Sequence, residues 1–301
     1  MPDIPDEALA IRHLLGTNGP EAGAPLIELR NAAGLSVDLL PGRCLDIGQV
    51  WYQGIPFGWV GPNGIPPART GEMDTALGGL LCTCGFDHIR QPEIWEGREL
   101  PLHGSMSLSP ARVESAAAIA DPALGPAFRV CASVAHGRLS GQSWHLSRSI
   151  TVPRDRPEIL IEDRVEARAE GEVTPIMALY HFNLGAPLIG PGTAVTIAGR
   201  PRPELPGEDG FTRVEPAAPG GHDIALQSGI GDPRLRLRIT ADAGSLPFLQ
   251  LHRRPAPGGL LCIEPASHDR QPRAALLADE APLRGSRSRR FRLMLRFGPP
   301  G

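Results

Sequence analysis

An all-β sandwich is the fold class that this sequence predicts, and three observations carry the prediction. Short strand-like runs recur along the chain, clusters of Gly, Pro, Asn and Asp separate them, and one N-terminal stretch alone has convincing helical periodicity. Closely spaced strands with few helices favour a sandwich or barrel over an alternating α/β architecture.

Taken in chain order, Ile4–Leu15 reads as a helix, with Pro5 or Asp6 near its start and Gly16 after its end. Ala24–Leu29 and Ser36–Leu40 read as strands, and so do Ala127–Val134, Trp144–Val152, Glu158–Ala167 and Ile176–Tyr180. Leu235–Ile239 belongs to a strict Arg/apolar alternation that begins at Arg234, a pattern that sets one face on a core and the other in water. Phe248–His252, Leu260–Glu264 and Arg290–Phe297 complete the set, the last alternating until Met294 breaks the pattern. The Pro/Gly-rich stretch from Gly190 to Gly221 reads as loops or an edge excursion rather than a linker, because candidate site residues flank it on both sides. One domain over residues 1–301 is therefore expected, with residues 1–20 a partly helical N-terminal extension.

The chain has 41% hydrophobic and 21% charged residues with a net charge of -3, an ordinary profile for a packed domain. Both signs are scattered, so neither nucleic acid nor a membrane is expected as a partner. All 30 basic residues are Arg. The missing lysine excludes Schiff-base aldolase and pyridoxal chemistry, since a guanidinium cannot serve as the amine. The five cysteines lack paired CxxC spacing, the N-terminus has early acids without an apolar run, and a cytoplasmic location is the resulting expectation.

Four strings place ionisable residues in or at the end of apolar runs, where burial is costly unless the group is paired or functional. They are Pro41–Ile47, which carries Arg43 and Asp46; Gly78–His88, which carries Asp87 and leads on to His103 in Leu102-His103-Gly104; Leu179–Gly185, which carries His181 and Asn183; and Leu261–His268, which carries Glu264. Glu264 follows Leu-Leu-Cys-Ile and precedes Pro, so a purely structural role would need a specific buried partner. GxSxG, HExxH, a Walker loop and GxGxxG are all absent.

Arg-x-x-Asp-Ile from residue 43, Gly-Gly-Leu-Leu-x-Thr-Cys-Gly-x-Asp at 78–87, Leu-His-Gly at 102–104, Tyr-His-Phe-Asn-Leu-Gly at 180–185 and Ile-Glu-Pro-Ala-Ser at 263–267 occur in an order that resembles the aldose 1-epimerase (galactose mutarotase-like) superfamily. The closer resemblance is to a bacterial branch catalogued as a domain of unknown function. It runs from about residue 24 to the last strand. It implies a β-supersandwich, a monosaccharide substrate, and cofactor-free ring opening with His181 as general acid on the ring oxygen and Glu264 as general base on the anomeric hydroxyl. His103 is implied to bind the sugar; Arg43, with Arg90 as its rival, together with Asp87, Asn183 and His252, completes the binding set. No counterpart of the Asp that grips sugar hydroxyls in galactose mutarotases precedes Glu264, which puts galactose in doubt. Arg43, Arg90, Arg253 and Arg254 lie near the site strings and lean toward an anionic sugar. Two alternatives stay open: a metal-dependent sugar isomerase using His103, His181 and Glu264, with His252 a further candidate ligand, and a non-catalytic carbohydrate-binding protein. The sequence leaves the oligomeric state open, a homodimer included.

Overall fold

The computed structural model describes residues 10–66, 73, 77–202, 212–254, 259–278 and 283–299. Strands dominate it. An antiparallel sheet comes first: β1 (Ile11–Leu15), β2 (Pro25–Arg30), β3 (Leu35–Leu40), β4 (Asp46–Tyr52) and β5 (Ile55–Pro56) pair in chain order. Then follow β6 (Leu81–Phe86), a small hairpin of β7 (Glu93–Trp95) and β8 (Arg98–Leu100), and four long strands: β9 (Arg112–Asp121), β10 (Gly125–Gly137), β11 (Ser143–Pro153) and β12 (Glu158–Glu172). The second half contains β13 (Met177–Leu184), β14 (Ala194–Ile197), β15 (Arg200–Pro201), β16 (Thr212–Pro216), β17 (His222–Gln227), β18 (Arg236–Ala241), β19 (Phe248–Arg254), β20 (Leu260–Ala266), a short helix α1 (Arg273–Ala278) and β21 (Leu283–Phe297).

Two further sheets form the body of the fold. A nine-stranded sheet runs β15-β14-β17-β18-β21-β12-β11-β10-β9, and a five-stranded sheet runs β16-β19-β20-β13-β6. The period of two is visible in their sides. On β13, Ala178, Tyr180, Phe182 and Leu184 enter the main apolar cluster, together with Leu249 and Leu251 of β19 and Leu261 and Ile263 of β20. The nine-stranded sheet answers with Ile150, Ile161, Val165, Ile239, Phe291 and Leu295, and the first sheet adds Ile27, Leu29, Val37 and Leu39. Phe291 stacks on Phe86 across the gap, with ring centroids 6.3 Å apart. Each such large side chain contributes about 1.5–3 kcal/mol by leaving water.

A fully buried ionic cluster crosses the same interface. Arg148 of β11 places five hydrogen bonds: Nε and Nη2 on the Asp163 carboxylate at 2.9 and 2.7 Å, Nη1 on Asp46 Oδ1 and the Cys44 carbonyl, and Nη2 on Thr83 Oγ1. Tyr180 donates to Asp163 at 2.6 Å, and the Thr83 amide donates to Asp46. Strands of all three sheets are thereby tied together directly behind His181.

One expectation changes and one is narrowed. Ile11–Leu15 is a strand, not the end of a helix; every residue of it pairs with β2, from Ile11 with Leu29 to Leu15 with Pro25. A short isolated helix is marginal in water, whereas a ladder on a ready-made partner satisfies each backbone group. Residues 4–9 of the expected helix lie outside the described residues. The Gly190–Gly221 stretch is the edge excursion: β14 and β15 border the nine-stranded sheet and β16 borders the five-stranded one, with 203–211 outside the described residues. No helix among the described residues is long and apolar enough to cross a membrane.

Candidate active site

The outer side of the five-stranded sheet carries the polar residues that the core side refuses. Along β19 the alternation that buries Leu249 and Leu251 turns Gln250, His252 and Arg254 outward; on β20 it turns out Leu260, Cys262 and Glu264. The register sets Gln250 opposite Glu264, His252 opposite Cys262 and Arg254 opposite Leu260. On β13, Phe182 pairs with Ile263 and Asn183 with Cys262, which brings His181 beside Glu264. These residues floor a cavity of about 390 Å³, walled by Trp59, Arg90, Leu102, His103 and Arg270. That is within the size range of small-ligand sites. A larger hollow of about 740 Å³ lies beside Ile94, Leu100 and Leu108, and no His or Arg lines it among the described residues. Chemistry rather than size distinguishes the smaller one.

His181 Nε2 stands 3.5 Å from Glu264 Oε1, and both side chains are buried. The other carboxylate oxygen, Oε2, accepts a 2.5 Å hydrogen bond from Gln250 Nε2. Arg90 Nε donates to Gln250 Oε1 at 2.8 Å, which fixes the amide so that its NH₂ faces Glu264. The rest of the Arg90 guanidinium donates to the His268 and Asp269 carbonyls. Glu264 Oε1, His181 Nδ1 and His103 Nδ1 are buried without a hydrogen-bond partner among the described residues. Buried polar atoms are rarely left so, and all three residues line the cavity.

Burial pushes Glu264 up to about 8, against the opposing pull of Arg90 and the Gln250 hydrogen bond. Burial lowers His181 to about 4. His252 also falls to about 4, through burial and then the charges of His181, Arg254 and Arg270. His103 is held well below the usual imidazole range by burial and by neighbouring His181, whose ring centroid is 5.1 Å away. At neutral pH the His181–Glu264 pair therefore holds one proton, and the cavity's remaining charge comes from its arginines.

His103 reaches the cavity on a strained turn. Its φ is 62°, and at Gly104, with φ 82°, an added Cβ would lie 2.3 Å from the His88 carbonyl oxygen. Glycine is therefore required there. The His103 amide donates to the Arg90 carbonyl and its own carbonyl accepts from Gly85.

Of the residues expected from sequence, His181, Glu264, His103, His252 and Arg254 share this cavity, and of the rivals Arg43 and Arg90 it is Arg90 that lines it. Arg43, Asp87 and Asn183 do not line it. Arg43 is buried, donating to the Gly78 carbonyl and toward Cys82 Sγ. Asn183 donates to the Gly79 carbonyl. Asp87 accepts from the Ser105 amide and hydroxyl and from Arg138, which pins the turn that carries His103. Each is consumed by shaping the loops around the cavity. Sequence reasoning missed Gln250, Cys262 and Arg270. The alternation in Phe-Leu-Gln-Leu-His-Arg-Arg already put Gln250 on the side of His252. As for a metal, His181, Cys262 and Glu264 offer ligand atoms within 4.8 Å of one another, so Cys262 takes the place expected of His103 and His252.

The fold recurs in solved structures. A Klebsiella pneumoniae protein described as a candidate aldose 1-epimerase superposes with TM-score 0.81 at 17% identity, over 96% of this chain and 83% of its own. A galactose mutarotase related enzyme from Lactobacillus acidophilus gives 0.63 at 9% identity, covering 90% of this chain and 97% of that one. An aldose epimerase homologue from C. elegans gives 0.58 at 15%, covering 92% and 100%. No curated protein sequence matches the chain. At these identities the likeness concerns the fold, the galactose mutarotase-like all-β sandwich. Residues 21–282 match one sequence family, and the chain belongs to it: the family described as Domain of unknown function (DUF4432).

Proposed function

We propose that this protein is a cofactor-free sugar mutarotase that interconverts the anomers of a monosaccharide by general acid–base ring opening, with His181 and Glu264 as the reacting pair. The observation that carries the reading is the 3.5 Å contact between His181 Nε2 and Glu264 Oε1 at the floor of a sugar-sized cavity. The likeness to aldose epimerase folds supports it.

Ring opening requires the O1 proton to be removed while the ring oxygen gains one. Glu264 takes the O1 proton as His181 delivers its own to O5; the C1–O5 bond breaks and the C1–O1 double bond forms. Rotation about C1–C2 and reclosure on the other face return both protons. One proton on the pair suffices for the cycle, since opening moves it from His181 to Glu264 and closing moves it back. In the empty cavity burial leaves that proton on Glu264, so it must pass to His181 before opening begins. Each group contributes roughly 10²–10⁴ in rate. His103, edge-on to His181, is the hydrogen-bonding partner of the sugar, and Arg90 and Gln250 hold Glu264 in place.

The test is anomer exchange measured by NMR across a panel of hexoses, pentoses and acidic sugars. Glu264→Gln should abolish exchange while saturation-transfer contacts with the sugar persist. Exchange surviving in that variant refutes the proposal.

The three-residue donor set favours a second reading, a metal-dependent sugar isomerase, because His, Cys and carboxylate are all zinc ligands. It requires stoichiometric metal in untagged protein and loss of activity on chelation. Full activity after chelation excludes it.

A further inference from the structure

We propose that the cavity selects a monosaccharide bearing an acidic group, a carboxylate, sulfonate or phosphate, held between Arg254 and Arg270 while C1 lies at His181 and Glu264. The inference rests on the mutarotase reading of the same cavity and names its substrate class.

Three arginines line the cavity, against one carboxylate among the described residues. That carboxylate, Glu264, is held largely in its neutral form by burial. The arginines are not equivalent. Arg90 is spent on Gln250 and on two carbonyls. The Arg254 and Arg270 guanidiniums have no carboxylate partner among the described residues, although Asp+Glu outnumber Lys+Arg by 33 to 30 in the chain. Several other arginines are paired with carboxylates, as in Arg129–Asp121, Arg234–Asp232 and Arg238–Asp223. The nearest acid in sequence to Arg270 is Asp269, whose carboxylate accepts the backbone amide of Arg270.

The Arg254 and Arg270 guanidiniums also line the same cavity. Arg254 sits two residues beyond His252 on β19, and the charges of Arg254 and Arg270 both bear on His252. Arg254 also acts on His181, and Arg270 on Glu264. A bound anion in this cavity would meet positive charge from both. The guanidinium fork matches carboxylate, sulfonate and phosphate geometry. Arg254 lies on β19, on the other side of β20 from His181, opposite Leu260 and four residues along β20 from Glu264.

The experiment is calorimetric titration of the full-length protein with glucose, glucuronate, glucose 6-phosphate and glucose carrying a sulfonate at C6, at fixed ionic strength. At least one acidic sugar should bind tenfold or more tightly than glucose, with the advantage shrinking as salt rises. In the Arg254→Gln/Arg270→Gln double variant, shown folded by its thermal transition, that ratio should fall toward one. Equal affinities for glucose and all three acids, a ratio unchanged in the double variant, or no binding of any of the four overturns the inference. Binding is read without turnover, so the two proposals fail separately. Selective binding without anomer exchange refutes the mutarotase reading alone; exchange of neutral sugars without acid preference refutes the selectivity alone.

Discussion

His181 Nε2 lies 3.5 Å from Glu264 Oε1, and neither side chain has appreciable contact with water. With His181 near 4 and Glu264 near 8, both displaced by burial, the pair holds one proton between these limits, two below them and none above. Anomer exchange should therefore follow a bell in kcat/KM, falling on the acid side as the pair gains a second proton and on the alkaline side as it loses its last. A rate independent of pH from 4 to 9 would contradict the shared-proton account.

The Gln250 amide favours the charged form of Glu264 through its 2.5 Å hydrogen bond. Gln250→Leu removes that support, so the alkaline limb should move to higher pH. A hydrogen bond to a charged group is worth about 1.5–3 kcal/mol, so exchange should slow by roughly ten- to a hundredfold. Gln250→Glu should be worse, since it sets a second carboxylate directly against the first. The pH profile separates this positioning role from simple loss of packing.

Linkage gives a stability test of the same carboxylate. The folded-state pKa of Glu264, about 8, lies above its ordinary value of 4.5, so the folded form binds the proton more tightly. Its contribution is full below pH 4.5 and is lost as pH rises toward 8. His181 acts oppositely and lower: its folded value of about 4 lies below 6.5, so stability increases as pH rises through that interval. Urea unfolding of Glu264→Gln and wild type from pH 5 to 9 should show the variant gaining on wild type up to about pH 8 and levelling above it, by a few kcal/mol at most. Parallel curves would show that the carboxyl is not buried as described.

Arg148 is the predicted weak point of the scaffold. Arg148→Met leaves the Asp46 and Asp163 carboxylates buried without their guanidinium. Breaking a buried pair in this way costs about 3–5 kcal/mol. The urea midpoint should fall accordingly, and restoring charge balance with Asp163→Asn in the same chain should recover part of the loss.

Much of this was readable from the residues alone, and the failures have physical causes. Alternation and turn residues identify most strands, because period two reports which side meets the core. Carboxylates and imidazoles inside apolar runs identify Glu264, His181 and His103, because such burial needs a reason. The same signal cannot say what a polar group is spent on. Asp87 stands in a site-like string, yet its partner Arg138 arrives from 51 residues away. Arg43 is framed like a binding residue and closes a loop instead. The Arg148–Asp163 pair depends on the register of β11 against β12, and Gln250 on that of β19 against β20. Register is a long-range property, set by the whole sheet rather than by either strand. The N-terminal strand is hidden for the related reason that its partner lies in a later segment.

The most direct test of the central claim is NMR magnetisation transfer between α and β anomers, on wild type, Glu264→Gln and His181→Asn, with the sugar that binds best. The account predicts fast exchange in wild type and none above the spontaneous rate in either variant, with sugar binding retained. Exchange at the wild-type rate in either variant, or none in wild type with any bound sugar, would contradict it.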